Sequence, residues 1–314
     1  MKKICGLFRT TAIFTRINII TGRYLSSSSA ALDPELKDYS PVQLAHRVYE
    51  PRKASEKLPL IILHGLFGSK QNWKSLAKVY SADRKVVTVD LRCHGDSPQS
   101  NDLGQVEMSE DLKHLLSDLN LSKVDLLGHS LGGKVVMITA LTKPELVNSL
   151  VCVDIAPAFS KGLVTLSEVL PAMNRVVEYF DPTFPLSTVR KDVFIQLSDD
   201  FPDAGFRHFV ISNIVEKDGL YVWRTDPNLV SANWDKILGF PHFEYGTFFA
   251  GRTLFVGGEK SPYISAENTS EILRLFPKSK IIHIPDAGHW VHAEKSTEFL
   301  KITNTFFNGS SADS

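Results

Sequence analysis

A serine in a glycine-flanked turn is the clearest chemical signal in this sequence. Gly128-His-Ser-Leu-Gly132 has the pattern G-x-S-x-G, with Ser130 at its centre, between the apolar run 124–127 and the helix-forming run 131–142. A serine at a sharp strand-to-helix turn exposes its hydroxyl, and the helix N-terminus favours negative charge that develops beside it. Flanking glycines let the two backbones pass closely. We therefore predict that Ser130 is a nucleophile.

A serine nucleophile needs a general base, and His289 has the best position among the ten histidines. It lies in Ile284-Pro-Asp-Ala-Gly-His-Trp290, directly after the last apolar run. It also follows Ser130 in the chain, as the order serine, acid, histidine requires. We expect His289 to take the serine proton and to return it to the leaving group.

A second glycine-containing turn offers donors for an oxyanion. His64-Gly-Leu-Phe-Gly68 follows an apolar run, and such a turn can present a backbone N–H group toward the reacting carbonyl. The N–H groups of Leu66 and Leu131 are the predicted oxyanion hole. An ordinary strand-to-helix turn is the alternative interpretation of this segment.

The other histidines near these motifs are expected to be structural. His64 precedes the serine in chain order, and His94 and His129 lie within glycine-containing turns. His292 follows His289 closely enough to suggest a metal pair, but no further ligand completes a set at recognisable spacing. The sequence therefore predicts neither a metal nor a cofactor.

The acid that orients His289 has three candidates. Asp154 follows the apolar run 150–153, where a carboxylate at a strand end next to the Ser130 strand could accept the second imidazole N–H. After the run 253–256, the usual place for the acid, only Glu259 is available, and it comes early in the turn. Asp226 is a more distant alternative. We favour Asp154 and keep the other two open.

The chain alternates between short apolar runs and helical patterns. Runs of strand character occupy 42–49, 58–63, 85–90, 124–127, 150–153, 253–256 and 281–284, and helical patterns occupy 106–119, 131–142, 269–276 and 294–306. This alternation predicts an α/β fold with a mainly parallel, doubly wound sheet, flanked by one antiparallel edge strand at 42–49. All later strands are expected to be buried. Ligands bind at the carboxyl ends of such strands.

One long stretch interrupts the alternation. From 158 to 250 the sequence offers short helical pieces, many aromatic residues and several prolines, but no comparable buried strand. Such an insertion is too long for a loop. We predict a helical cap at 158–250 over a hydrolase core formed by 33–157 and 251–308, followed by a disordered tail at 309–314.

The first 32 residues differ in composition from the rest. Lys2, Arg9, Arg16 and Arg23 recur every seven residues, a serine run covers 26–29, and no acidic residue precedes Asp33. On a helix this spacing places the positive charges along one stripe. The segment 1–32 is therefore predicted to be a mitochondrial transit peptide, with delivery to the matrix.

Composition limits the other classes of function. The chain has 314 residues with 35 basic and 35 acidic side chains, so it has no net charge that would attract nucleic acid. Arginines interrupt each apolar stretch of the leader, which excludes a transmembrane segment there. Cys5, Cys93 and Cys152 are few and widely spaced, so no disulfide framework is predicted.

Several motifs together resemble the α/β-hydrolase superfamily across residues 42–308. They are His64-Gly65, Asp90-Leu-Arg-Cys-His-Gly-Asp-Ser97, Gly128-His-Ser-Leu-Gly-Gly133, Val153-Asp-Ile-Ala-Pro157 and Asp286-Ala-Gly-His-Trp290. The segments 153–157, 234–240 and 257–262 further resemble the abhydrolase-domain-containing protein 11 group, with its bacterial esterase and yeast ethanol acetyltransferase relatives. This resemblance implies a mitochondrial esterase or lipase, with acyl transfer to alcohols or thioester cleavage in some members. It leaves the choice of acid open.

Two functions follow as expectations. The first is a cofactor-independent serine hydrolase that cleaves a small-molecule ester or thioester through an acyl-enzyme on Ser130. The second is a non-catalytic mitochondrial partner-binding protein that retains the fold. A scaffold has little need for an intact Ser130 and His289 pair, so the hydrolase is the favoured interpretation.

Overall fold

The computed structural model describes residues 40–160 and 166–309. The predicted leader lies outside these residues, as does all of the predicted tail except Gly309. The strands are β1 (His46–Tyr49), β2 (Leu60–Leu63), β3 (Val86–Val89), β4 (Val124–His129), β5 (Val147–Val153), β6 (Ile214–Lys217), β7 (Leu220–Trp223), β8 (Arg252–Gly258) and β9 (Ser279–Ile284).

Helices connect these strands. They are α1 (Lys74–Tyr80), α2 (Gln105–Asp118), α3 (Leu131–Thr142), α4 (Leu166–Arg175), α5 (Leu186–Gln196), α6 (Ala204–Ile211), α7 (Pro227–Ala232), α8 (Trp234–Leu238), α9 (Thr269–Leu275), α10 (Val291–Glu294) and α11 (Ser296–Phe307). No helix within the described ranges combines the length and the apolar content needed to cross a bilayer.

Within the described residues a seven-stranded sheet has the order β1-β3-β2-β4-β5-β8-β9. β1 pairs antiparallel with β3, and all other pairs in this sheet are parallel. The predicted mainly parallel sheet with an antiparallel edge strand is therefore confirmed. The carboxyl ends of β2, β4, β5 and β8 meet at one edge of the sheet, because these strands are neighbours and run in the same direction.

One sequence prediction about a strand was wrong, and the cap contains an additional hairpin. The run 281–284 was expected to be buried, but β9 is an edge strand in which only Ile284 is fully buried. Helices cover both faces of the central strands of such a sheet, whereas an edge strand such as β9 is less completely covered. The cap segment 158–250, predicted to be helical, also contains the hairpin β6–β7. Asp218 and Gly219 both have positive φ at its turn, which is the two-residue hairpin geometry that an Asp-Gly pair favours.

The cap is fastened to the core helix that follows Ser130. Lys134 of α3 is buried, and its ammonium donates to the carbonyl oxygens of Leu238 at 2.6 Å and Gly239 at 2.7 Å. Gln105 of α2 donates to the carbonyls of Ile237 and Gly239. A helix leaves its last carbonyl groups without internal partners, and here core side chains satisfy those of α8. Burial lowers the pKa of Lys134 to about 7.

A buried ion pair fixes the turn that follows β3. The guanidinium of Arg92 donates to both carboxylate oxygens of Asp111 on α2, at 2.7 and 2.8 Å, and both side chains are almost fully buried. Asp111 also accepts the N–H group of Val42 at 2.8 Å. The pair thereby ties the edge segment and α2 to the turn at the end of β3, which in turn contacts His64.

Replacing one partner of this pair should destabilise the fold strongly. Asp111→Asn leaves the buried guanidinium facing a neutral amide, so we expect the free energy of unfolding to fall by about 3–5 kcal/mol. Asp118→Asn, at the exposed end of the same helix, is the matched control and should change stability very little. Urea unfolding followed by circular dichroism measures both. Equal stability of the two variants would contradict the assigned role of the pair.

Candidate active site

Ser130 occupies a strained turn between β4 and α3. Its φ of 51° and ψ of −118° are unusual for a residue with a side chain, and such strain persists where the surrounding structure enforces it. Its N–H group donates to the carbonyl of Val153 at 3.0 Å, and its carbonyl accepts from the N–H group of Lys134 at 3.1 Å. A Cβ on Gly128 would lie 2.3 Å from the carbonyl oxygen of Gly132. The predicted need for glycine here is therefore steric.

The end of β2 lies directly against the first turn of α3. The N–H group of Gly132 donates to the carbonyl of His64 at 3.1 Å, and a Cβ on Gly132 would lie 2.4 Å from that oxygen. This contact brings the N–H groups of Leu66 and Leu131 to the same end of the sheet. In the described part of the chain neither N–H group has a protein acceptor, so both are available to an oxyanion.

His64 supports this turn as a hydrogen-bonded residue. Its Nε2 accepts the N–H group of Leu91 at 3.1 Å, so its Nδ1 carries the hydrogen and donates to the carbonyl of Gly65 at 2.8 Å. Burial lowers its pKa and keeps the ring neutral. The arrangement agrees with a structural role for His64.

Asp154 and His289 form the closest acid–imidazole contact at the site. Asp154 follows β5, has a φ of 50° and is fully buried. Its Oδ2 accepts His289 Nδ1 at 2.7 Å and also the hydroxyl of Ser261, while Oδ1 accepts the N–H group of Gly258 at 3.0 Å. A hydrogen on Nδ1 leaves Nε2 of His289 with a free lone pair, the form that a general base requires.

The two alternative acids perform other tasks in the described structure. Glu259 accepts the N–H group of Asp286 at 3.1 Å, so it holds the loop of His289 without contacting the ring. Asp226 caps the first turn of α7 by accepting the N–H group of Asn228 at 2.8 Å. The structure therefore brings Asp154, and neither alternative, to the imidazole.

Sequence reasoning missed several residues that surround His289. The carboxylate of Glu294 accepts the N–H groups of Gly288 at 2.7 Å and Trp290 at 3.1 Å, on both sides of the histidine. The ring centroids of Tyr263 and His289 lie 4.3 Å apart. Glu294 carries a local signal, because a glutamate in the first turn of a helix often binds the N–H groups before it. Tyr263 carries none, since only the fold brings it near.

A cavity of about 390 Å³ opens above Ser130 and His289. Much of its wall is aromatic: Trp73 comes from the core, and Phe206 and Phe209 come from α6 of the cap. Both cap rings pack on Trp290, with ring centroids 5.6 and 5.8 Å apart. The cavity therefore offers an apolar chamber beside the predicted nucleophile, the predicted base and the two predicted oxyanion donors, which suits an acyl group.

Two further imidazoles border this cavity, and both are neutral. Burial is the main cause that lowers the pKa of His292 to about 3 and that of His129 well below its usual range. His292 stacks on Trp73 with ring centroids 4.3 Å apart. The described residues contain no group of three or more His, Cys, Asp or Glu side chains placed to hold a metal ion.

Comparison with known proteins agrees with this geometry. A family model for the alpha/beta hydrolase fold matches residues 59–296. The sn-1-specific diacylglycerol lipase ABHD11 of Danio rerio is 40% identical over 304 residues, which cover 96% of this chain and 93% of the relative. Ethanol acetyltransferase 1 of Cyberlindnera fabianii is 28% identical, covering 91% and 92%. The solved structure of a marine microorganism esterase superposes with a TM-score of 0.77 at 32% identity, covering 84% and 99%.

The site geometry predicts that Asp154 is the acid on which activity depends. Asp154→Asn can donate to Nδ1 of His289 and so favours the wrong imidazole tautomer, which should lower kcat by about 10²- to 10⁴-fold. Glu259→Gln keeps an oxygen for the N–H group of Asp286, and Asp226→Asn keeps a capping oxygen. Both should stay within about tenfold of the wild type. Steady-state kinetics on a chromogenic ester checks this, and a severe loss confined to either control would overturn the assignment.

Proposed function

The chain belongs to the alpha/beta hydrolase fold family, and we propose that it is a carboxylic ester hydrolase that works through an acyl-enzyme on Ser130. The observation that carries the mechanism is the 2.7 Å hydrogen bond from His289 Nδ1 to Asp154, in a cavity whose wall includes Ser130. Together the three residues constitute the proposed catalytic triad. The esterase and lipase names of the relatives support the same reaction class.

The proposed reaction has two halves. Ser130 Oγ attacks the acyl carbon as His289 Nε2 takes its proton, and the N–H groups of Leu66 and Leu131 bind the oxyanion. Collapse of the intermediate breaks the bond to the leaving alcohol, which receives that proton from His289. Water then attacks the acyl-enzyme with His289 as the base and releases the acid and free Ser130. Asp154 keeps its negative charge throughout and stabilises the imidazolium.

Reactions of this class differ in the molecule that accepts the acyl group and in the alcohol that leaves. An alcohol that captures the acyl-enzyme in place of water gives a new ester, and a relative named ethanol acetyltransferase 1 supports this variant. A relative named as a diacylglycerol lipase supports an acylglycerol as the ester that is cleaved. The aromatic cavity fits an apolar acyl chain, so we propose acylglycerols as the first substrates to test.

A non-catalytic partner-binding protein is the alternative. A scaffold needs none of the strain at Ser130 or the buried carboxylate at Asp154. Both features cost stability, and they are understandable if they serve chemistry.

We also propose that the protein acts in the mitochondrial matrix. The support is the sequence of residues 1–32, which combines regularly spaced basic residues with a serine run and lacks acidic residues. Cleavage is expected within 24–31, where the basic leader changes to the serine-rich segment.

Removing the nucleophile should abolish turnover without unfolding the protein. Ser130→Ala deletes one hydroxyl, so we expect kcat to fall about 10⁴-fold or more and fluorophosphonate labelling to vanish. His289→Ala should be as severe, and the double variant should be little worse, because the residues act as a unit. Ser117→Ala, at an exposed serine of α2, is the control.

The assay should use a diacylglycerol and short-chain esters, with and without ethanol, and follow acid and ethyl ester as products. Activity of Ser130→Ala close to the wild type would contradict the mechanism. A folded wild type that neither labels nor turns over any ester would favour the partner-binding alternative.

Reversing the charge of the leader should prevent import. Replacing Arg9, Arg16 and Arg23 with Glu removes the positive stripe, so the variant should remain outside mitochondria, whereas Lys at the same positions should preserve import. Fractionation of cells that express tagged chains, with N-terminal sequencing of the imported product, measures both. Mitochondrial uptake of the Glu variant would place the targeting signal elsewhere.

A further inference from the structure

We propose that His129, the residue before the nucleophile, is a positioning residue that holds the main chain of His289 in place relative to Ser130. The proposal rests on the proposed function and assigns a task to an imidazole that the mechanism does not use.

The contact is a hydrogen bond from the side chain of His129 to the backbone of His289. His129 is the last residue of β4, and its Nε2 lies 3.0 Å from the carbonyl oxygen of His289. A carbonyl oxygen only accepts, so Nε2 must carry a hydrogen. The two rings are also in contact, with centroids 4.7 Å apart.

The environment keeps His129 in the donating form. The ring is buried, and it faces His292 on one side and His289 on another, with ring centroids within 5 Å. Burial and these neighbours lower the pKa of His129 well below its usual range. The ring is therefore neutral, with its single hydrogen on Nε2.

The same ring also lies against the oxyanion turn. A Cβ on Gly65 would come within 2.9 Å of His129 Nδ1, so the ring packs directly on the backbone of this turn. His129 is the chain neighbour of Ser130, and its side chain donates a hydrogen bond to the backbone of His289. It also contacts the turn that carries the N–H group of Leu66. One rigid ring thereby connects the nucleophile, the loop of the base and one side of the oxyanion hole.

The bond to the His289 carbonyl completes the support of the loop. Asp154 holds the ring of His289 at Nδ1, and Glu294 holds the N–H groups of the residues on either side of it. Without the bond from His129, the histidine can turn about its contact with Asp154, which displaces Nε2 from the serine. A displacement of about 1 Å between reacting groups can reduce a rate about 10²-fold.

Three substitutions separate positioning from simple packing. His129→Gln places an amide N–H close to the position of Nε2, His129→Asn ends about one bond short, and His129→Leu fills volume without a donor. We expect kcat to fall about 10- to 100-fold in the Leu and Asn variants with KM within about threefold, and Gln to restore most of kcat. His114→Leu, at an exposed histidine of α2, is the control.

A spectroscopic measurement on the wild type tests the hydrogen bond itself. In the wild type, ¹⁵N spectroscopy of histidine should show His129 as the neutral Nε2–H form near neutral pH. That measurement stands even if a variant fails to fold.

The outcomes are distinct. If the wild type turns over esters and His129→Leu is fully active, this proposal is overturned and the proposed function stands. The same holds if His129→Gln is as slow as His129→Leu. An Nδ1–H or charged His129 in the wild type overturns it as well. A wild type without turnover or fluorophosphonate labelling overturns both.

Discussion

The close contact between the Ser130 turn and the end of β2 is the constraint on which the site depends. Gly132 lets α3 approach the His64 carbonyl until its N–H group bonds that oxygen, and Gly128 lets the chain reverse within one turn. With any larger residue at these positions, α3 would move away from the sheet. Ser130 and the N–H group of Leu131 follow β4, whereas the N–H group of Leu66 follows β2. This backbone contact joins the two segments where the strands end.

The other half of the site depends on sheet order. β4 lies between β2 and β5, and β8 follows β5, so the loops after these strands converge at one edge. Asp154, directly after β5, therefore receives hydrogen bonds from Gly258 at the end of β8, from Ser261 in the following loop and from His289 after β9. Burying a carboxylate is costly unless donors surround it. These donors, contributed by the end of β8 with its following loop and by the loop after β9, hold the loop of His289 to the sheet.

Sequence reasoning identified what local patterns encode. The Ser130 turn, the His289 loop and the strand alternation all have short-range signatures, and the fold that they predicted is confirmed. The choice between Asp154 and Glu259 could not be made locally, because it depends on which strand neighbours β4. β9 was misjudged because its apolar residues cannot reveal an edge position. The cap hairpin had an Asp218-Gly219 signal, but its flanking strands are only partly apolar and partly exposed.

The four imidazoles around the cavity differ in whether they form a hydrogen bond to a carboxylate, and this difference indicates their roles. His64, His129 and His292 are buried, and burial is the largest cause lowering the pKa of each. Among the described residues near Ser130, only the ring of His289 bonds a carboxylate. A neutral imidazole can act as a fixed donor and acceptor, as the contacts of His64 and His129 demonstrate, whereas a base must be able to accept a proton beside a counter-ion. Burial without a carboxylate thus leaves three of these rings as neutral hydrogen-bonding or packing groups, and His289 remains the proposed base. The cap also shapes the surroundings of His289. Lys134 of α3 holds α8 in place, and the aromatic rings of α6 line the same cavity as the imidazole of His289.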